Sequence, residues 1–399
     1  MLAVADALEI VLAKCRPLPP LDMPLATALG SILAEDVASD LDMPPFDKAL
    51  MDGYAVRCQD LVDGTTTLPV QAEVSAGQSG PPLMPGQAIR IMTGAPIPAG
   101  ADAVIRVEDT KMAAHRVEIH AKPPKPGQFI LTKGREMKRG DVVLTAGAVL
   151  RPQEIGLLAT VGRSNVKVIP PPTVAVLATG DELVEANQMP GPSQLRNSNG
   201  PMLTAQAARA GAIPRYLGIG RDDAVLLRAL VAEALNSSIV VMSGGVSAGR
   251  KDLVPDVLKD LGVEPHFHQI AMKPGKPLFF GTRGDTLVFG LPGNPVSSFC
   301  GFELFVRPAI RKMAGHAIPG PVWQDATLAE TFSHSSDRPT YHPAVVENRE
   351  GSNRVRTVRW FGSPDLRAMA QANALMLLPA GSYSFTAGQK MPVLASVEA

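Results

Sequence analysis

The segment from Ile239 to Asp252 constrains the fold more than any other part of the chain. Ile239, Val240, Val241 and Met242 form an apolar run too short for a helix, bounded by Ser243-Gly244-Gly245. Such a run reads as a short strand buried on both faces. Beyond the turn, Leu253, Val254, Val257, Leu258 and Leu261 recur at helical spacing, so a helix with one apolar stripe is expected from about Asp252. In a strand, glycine loop, helix unit the glycines let backbone N–H groups approach a ligand, and the start of the helix favours an anion. One such unit is weak evidence, because Gly-Gly turns follow many strands that bind nothing.

The same order recurs twice. Thr173–Ala178 runs into Thr179-Gly180-Asp181-Glu182, and Thr286–Gly290 runs into Leu291-Pro292-Gly293-Asn294-Pro295-Val296-Ser297, where a long apolar helical pattern begins. Strands of this kind, separated by helices, make a parallel sheet with right-handed crossovers. The crevice of such a sheet lies beyond the carboxyl ends of its strands, so the three loops are expected to face one site.

A chain of 399 residues is long for one core and predicts about two to four domains. Lys plus Arg and Asp plus Glu both total 38, so no net field favours nucleic acid or an anionic membrane, and only a local basic pocket stays open. Cys15, Cys58 and Cys300 stand apart with no C-x-x-C pair, which fits a reducing compartment and gives neither a disulfide framework nor a zinc site. Met1–Lys14 is interrupted by Asp6 and Glu9 and lacks a basic start. It reads as an amphipathic helix with Val4, Leu8, Val11 and Leu12 on one face, not as a signal peptide. No apolar run approaches a membrane span. A soluble, cytoplasmic protein is expected.

A second helical pattern spans about Pro24 to Ile32. Leu41–Val56 then carries several carboxylates and few helix or strand cues, a loop whose acids are by default solvated. From Leu68 to about Gly147, short segments such as Ala88–Met92 and Ala103–Val107 read as a small β domain inserted between two helical stretches. Its Met92-Thr93-Gly94-Ala95-Pro96 loop is too rich in Gly and Pro to pack a core, and loops of this kind more often carry function. Gly134–Asp141 reads as a charged, solvated turn. Helical pattern returns at Pro152–Val161, and Pro170-Pro171-Pro172 precedes the parallel sheet. Within that region Asn199 can serve as the N-cap of a helix carrying Met202, Leu203, Gln206 and Ala210, and another helix spans about Asp222–Leu235. After about Pro321, alternating segments around Val355–Trp360 and Ala374–Leu378 read as a second small β domain.

Lys273-Pro274-Gly275-Lys276-Pro277 stands just before a strand. Isolated surface lysines are usually only solvated, but two held close by a Pro-Gly turn repel each other unless an anion sits between them. With Asp181, Glu182 and Asp252 around the same crevice, the set suits a phosphorylated ligand bridged by a divalent cation. The residues alone lead no further.

At these motifs the chain resembles the molybdopterin molybdenumtransferase family, the MoeA and gephyrin E-domain group. Met51-Asp52-Gly53-Tyr54-Ala55, Met92-Thr93-Gly94-Ala95-Pro96, Thr179-Gly180-Asp181-Glu182-Leu183, Ser243-Gly244-Gly245-Val246-Ser247, Lys273-Pro274-Gly275-Lys276-Pro277 and Leu291-Pro292-Gly293-Asn294-Pro295-Val296-Ser297 follow its signatures in its order. Each motif is commonplace alone; together, in register over essentially the whole chain, they are not.

The resemblance implies an α/β multidomain protein. It would have an extended N-terminal helical segment (1–43 and 141–170), an inserted β domain (44–140), a three-layer α/β/α molybdopterin-binding domain with a mainly parallel sheet (171–318) and a C-terminal β-barrel (319–399). It implies a homodimer with sites shared between subunits, which inserts molybdate into adenylylated molybdopterin and releases AMP with Mg²⁺ present. A molybdopterin adenylyltransferase and molybdoenzymes would be its partners. Matched by motif, Asp52, Thr93, Glu182 and Asp252 form the catalytic set, with Glu182 and Asp252 holding the metal. Lys273, Lys276 and Ser297 face molybdate, and Arg338 and Ser363 are further anion contacts. Gly180, Asp181, Gly244, Gly245, Ser247, Pro292, Asn294 and Pro295 complete the substrate loops. Molybdate is a dianion with four acceptor oxygens, so two lysines, a hydroxyl and backbone N–H groups suit it.

The chain also departs from the family pattern. Arg135 stands where an acid is usual in Gly134-Arg135-Glu136, Arg250 where an acid commonly follows Gly-Val-Ser-x-Gly, and Pro343 where an Arg is expected. These changes bring in an alternative: a non-catalytic molybdopterin-binding or assembly protein of the same fold. A molybdopterin-adenylylating enzyme would need the α/β domain alone, and the flanking β domains argue against it.

Overall fold

The structure, a computed structural model, describes residues 1–245, 253–349 and 351–395. The chain divides into two compact units, one made of Pro24–Ala26 and Glu35–Val166, the other of Met1–Met23, Thr27–Ala34 and Lys167–Ala399.

The first unit is built on a six-stranded sheet. Its strands run, in spatial order, Ala103–Arg106, Gly53–Val56, Ala88–Ile91, Thr66–Val74, Arg116–Ile119 and Thr110–Ala113. Tyr54, Ile89, Ile91 and Ile105 are fully buried in its cores. A Cβ on Gly53 would overlap the Ile105 carbonyl oxygen, so only glycine lets these two strands close. The helix Pro152–Thr160 starts on an Arg151–Glu154 capping box.

The helix expected over Pro24–Ile32 does not form. Leu25–Thr27 make a single 3-10 turn, Gly30 takes φ +80°, and Ile32–Leu33 become a strand against Val168 and Ile169. A short apolar run satisfies a β pairing as readily as a helix, and here a left-handed glycine ends the helical option.

The second unit contains the parallel sheet. Its strands are β1 (Thr173–Thr179), β2 (Ile213–Gly220), β3 (Ile239–Ser243), β4 (Glu264–Gln269), β5 (Pro277–Arg283) and β6 (Thr286–Leu291), in the order β2-β1-β3-β6-β5-β4. β2, β1, β3 and β6 are parallel; β5 and β4 add on antiparallel. Alternate residues serve opposite cores. Val174 and Val176 of β1 join α1 (Val4–Lys14) and α2 (Asn199–Arg209), while Ala175 and Leu177 join α3 (Ala224–Ala234) and α4 (Val254–Asp260). Apolar residues on both faces of one strand are what a sheet covered on both sides requires. The helix after β6, α5 (Pro295–Gly301), continues through a π-helical turn, Phe302–Val306, into Arg307–Met313. In that turn the buried Glu303 carboxylate is held by Arg209 at 2.7 Å, Arg307 at 3.2 Å and the Gln206 amide at 2.7 Å.

Five strands close the C-terminal barrel: Trp323–Leu328, Ser352–Thr357, Thr340–Arg349, Ala374–Leu378 and Lys390–Ala395. Pro343 pairs with Leu375 and lies just past the last pair with Ser352–Thr357, Ala344 opposite Thr357, its carbonyl accepting Val358 N–H at 3.1 Å; the end of a pairing tolerates a missing N–H. Among the described residues no helix is long and apolar enough to cross a membrane.

Candidate functional site

β1, β3 and β6 are neighbours and parallel, so their loops leave one edge of the sheet together. Two cavities open there, separated by the loop after β6. One, of about 690 Å³, is lined by Gly180, Glu182, Asn199, Gly244, Gly245 and Pro295, among others. The other, of about 590 Å³, is lined by Lys273, Lys276, Ser297, Arg338 and Ser363, with His334, His342 and Trp360. Pro277, Pro292 and Asn294 belong to both walls.

The shared wall is fixed from beneath. The Pro292 carbonyl accepts the hydroxyls of Ser243 (3.3 Å) and Ser298, and the Gly293 carbonyl accepts Asn199 Nδ2 at 2.7 Å. The same Asn199 amide donates to Ser243 Oγ at 2.7 Å. Asn199 therefore does not cap its helix, where Ser198 stands as the N-cap residue; it ties the β3 loop to the β6 loop. At Gly244 the backbone takes φ +90°, and a Cβ would lie 2.6 Å from the Thr179 carbonyl oxygen. Only glycine lets the β3 loop lie this close to β1.

The lysine turn is held just as firmly, by the barrel. Lys273 N–H donates to the Pro339 carbonyl (2.9 Å) and the Lys273 carbonyl accepts Tyr341 N–H (2.8 Å), while the Lys276 carbonyl accepts Ile270 N–H (3.0 Å). Arg338 Nε donates to Asp337 Oδ1 at 3.1 Å. The Ser363 carbonyl accepts Val296 N–H at 3.0 Å, and Ser297 is buried. Three cations from two separate folds thus surround one space.

His334 and His342 stand in the same wall. Burial pushes the His342 imidazole down to about 4, against a partly offsetting bond to the Pro343 carbonyl. That bond, 2.8 Å from Nδ1, requires the proton on Nδ1, because a carbonyl only accepts. Burial first, then the Lys273 charge, hold His334 below its usual range. The sequence reading missed both histidines, Trp360 and the bridging role of Asn199. The available signal was the two-residue period: Thr340 and His342 share a strand face, as do His334 and Ser336.

Other expected residues lie elsewhere. Asp181 lines neither cavity; its carboxylate accepts Asp222 N–H at 3.1 Å and its carbonyl accepts Arg221 Nη1 at 3.0 Å. Asp52 and Thr93 belong to the first unit and are joined to each other, with Thr93 N and Oγ1 each donating to Asp52 Oδ1 at 2.7 Å. These bonds, the backbone one foremost, hold the Asp52 carboxyl below its ordinary range. Of the departures from the family pattern, Arg135 sits in a turn closed by its N–H to the Thr132 carbonyl. Ser247, Arg250 and Asp252 lie outside the described residues. Among the described residues no three His, Cys, Asp or Glu side chains form a metal cluster. Mg²⁺ needs only one or two carboxylates beside phosphate oxygens, a donor set that Glu182 and a bound phosphate fit.

A cavity lined by Lys273, Lys276 and Arg338 thus lies beside a glycine-loop crevice at the edge of a parallel sheet, the chemistry of a protein of the molybdopterin-binding class. Residues 2–162 match the family model described as the MoeA N-terminal region (domain I and II). Residues 175–312 match the probable molybdopterin binding domain, and residues 325–395 the MoeA C-terminal region (domain IV). The chain is 36% identical to the molybdopterin molybdenumtransferase of Staphylococcus aureus over 98% of its own length and 94% of that protein. To the enzyme of the same name from Bacillus subtilis it is 35% identical, over 93% and 88%. The fold matches the molybdopterin biosynthesis MoeA protein of Pyrococcus horikoshii with a TM-score of 0.81 at 30% identity, covering 99% of this chain and 100% of that one. The chain belongs to the MoeA family of molybdopterin molybdenumtransferases.

Proposed function

We propose that this protein is a molybdopterin molybdenumtransferase of molybdenum cofactor biosynthesis, taking molybdate and adenylylated molybdopterin and releasing AMP. The observation that carries this is the shared wall: the cationic cavity and the glycine-loop crevice meet at Pro292 and Asn294. A tetrahedral dianion suits the first cavity, where Lys273, Lys276 and Arg338 supply charge-assisted donors. A pterin carrying a phosphate linkage suits the second, where Gly244 and Gly245 bring backbone close and Glu182 supplies a carboxylate. The role of this chain's residues is to hold the two substrates across one loop, so that the oxyanion meets the pterin without a search. Mg²⁺, when bound with Glu182 and Asp252, would neutralise charge on the phosphate linkage.

The same reading places the protein in the cytoplasm as a two-fold dimer in which Asp52 of one subunit serves the crevice of the other. Mixing two variants that are each inactive, Asp52→Asn and Asp252→Asn, then restores about a quarter of wild-type activity, because half of random dimers are mixed and each carries one intact site. No recovery with mixed dimers present places each site within one chain. The full reaction is tested by incubation with adenylylated molybdopterin, molybdate and Mg²⁺. AMP release that depends on molybdate is expected; tight pterin binding with no AMP at any Mg²⁺ concentration would instead identify a non-catalytic carrier.

A further inference from the structure

The cationic cavity contains a group with no part in the lysine, arginine and serine set. His334 stands on the strand Phe332–Ser336, which pairs with Gly381–Phe385 beside the barrel. Its Nε2 lies 2.9 Å from the hydroxyl of Thr340, a fully buried residue. The backbone on both sides of Thr340 is bonded to Lys273, through the Pro339 carbonyl and Tyr341 N–H. One residue therefore fixes the imidazole and the first lysine of the turn together. His334 stacks on Phe332 at 6.2 Å between centroids, and Phe332 meets His342 edge-on at 5.2 Å. The ring is half-buried and lines the cavity, so it can exchange a proton with solvent while touching its occupant.

We propose that His334 is a further anion-binding residue of this cavity, and that it takes up a proton from solvent when an oxyanion dianion binds. The proposal rests on reading the cavity as the molybdate site. In the free cavity the charge that acts on His334 is Lys273, and Lys276 and Arg338 line the same wall. Asp337, exposed and paired with Arg338, offsets part of that field, and His342 is neutral. Burial and Lys273 both favour neutral imidazole, which offers an anion no added charge. A bound dianion reverses the local field and favours imidazolium, so the cavity gains a cation only when filled. The step moves one proton from solvent to imidazole and breaks no other bond. A third lysine would repel Lys273 and Lys276 at all times, whereas a histidine adds its charge on demand.

The sign follows from linkage. The free pKa lies below the bound one, so between them each binding event takes up a proton and affinity rises as pH falls. One linked proton limits the gain to about tenfold per pH unit. Calorimetric titration of the whole protein with molybdate, in two buffers of different ionisation heat across pH 6 to 8, reads the uptake directly. Wild type is expected to show buffer-dependent heats and tighter binding toward pH 6. His334→Gln keeps binding through the lysines, loses the uptake and flattens the pH profile. Equal heats in both buffers for wild type, or the same pH profile in His334→Gln, overturns the proposal, and the wild-type heats decide it even if the variant folds poorly. Lys276→Ala separates the two failures. If it binds molybdate as tightly as wild type, the cavity is not the oxyanion site and the proton linkage falls with it; if it binds weakly while wild type shows no uptake, only the role of His334 falls.

Discussion

The two cavities share a wall and are built on opposite principles. The glycine-loop crevice is made by backbone: Gly180, Gly244 and Gly245 leave room, and Asn199, Ser243 and Ser298 fix the loops from below. The cationic cavity is made by side chains that converge from the lysine turn and the barrel, with Thr340 and its neighbours holding the turn. A backbone cradle tolerates a flat, extended ligand and selects through shape. A cage of charges selects through valence and geometry, and pays for its own repulsion until an anion arrives. The difference teaches which substitutions should separate the two substrates.

The largest separation is expected from Lys273→Ala combined with Lys276→Ala. A hydrogen bond to a charged group contributes about 1.5–3 kcal/mol. Losing both should raise the molybdate half-saturation of AMP release by roughly two orders of magnitude or more. The cavities differ next in acid sensitivity. His342 titrates near 4 in the fold and near 6.5 unfolded, so its share of stability is complete above about 6.5 and is lost as pH falls toward 4, about 3 kcal/mol in all. Denaturant melts at a series of pH values check this: wild type should weaken across that window, and His342→Gln should weaken less. An identical slope in both would remove His342 as its source.

Smaller effects belong to the glycine crevice. Gly244→Ala forces a Cβ against the Thr179 carbonyl in a left-handed backbone. It should cost about 2 kcal/mol and roughly 4–8 °C in Tm. Asn199→Ala leaves the Gly293 carbonyl without its donor, a loss of about 1–2 kcal/mol that loosens the shared wall. An unaltered Tm in both would mean that these loops relax freely.

The two regions also differ in how far the sequence revealed them. Strands β1, β3 and β6 and their glycine loops were legible because apolar runs and Gly-rich turns are local signals. The C-terminal region and the inserted sheet were visible from short and alternating segments only as small β domains, and the barrel came with the family resemblance. Lys273 and Lys276 could be singled out because a Pro-Gly turn fixes their spacing within one short segment. His334 and His342 could not, because their place beside the lysines depends on Thr340 meeting Lys273, roughly two hundred ångströms of extended chain away. Asn199 was misread for the same reason: its local context is a helix start, while its partners are Ser243 and Gly293. The Pro24–Ile32 segment failed because short apolar runs do not distinguish helix from strand.

The division of labour between the cavities is tested most directly by calorimetry on two variants with two ligands. Lys276→Ala should weaken molybdate binding about 10- to 100-fold and leave adenylylated molybdopterin within about threefold of wild type. Asn199→Ala should show the reverse preference, with the pterin ligand weakened more than molybdate. If both variants lose the two ligands in equal proportion, or Lys276→Ala weakens only the pterin, the cationic cavity is not the molybdate site.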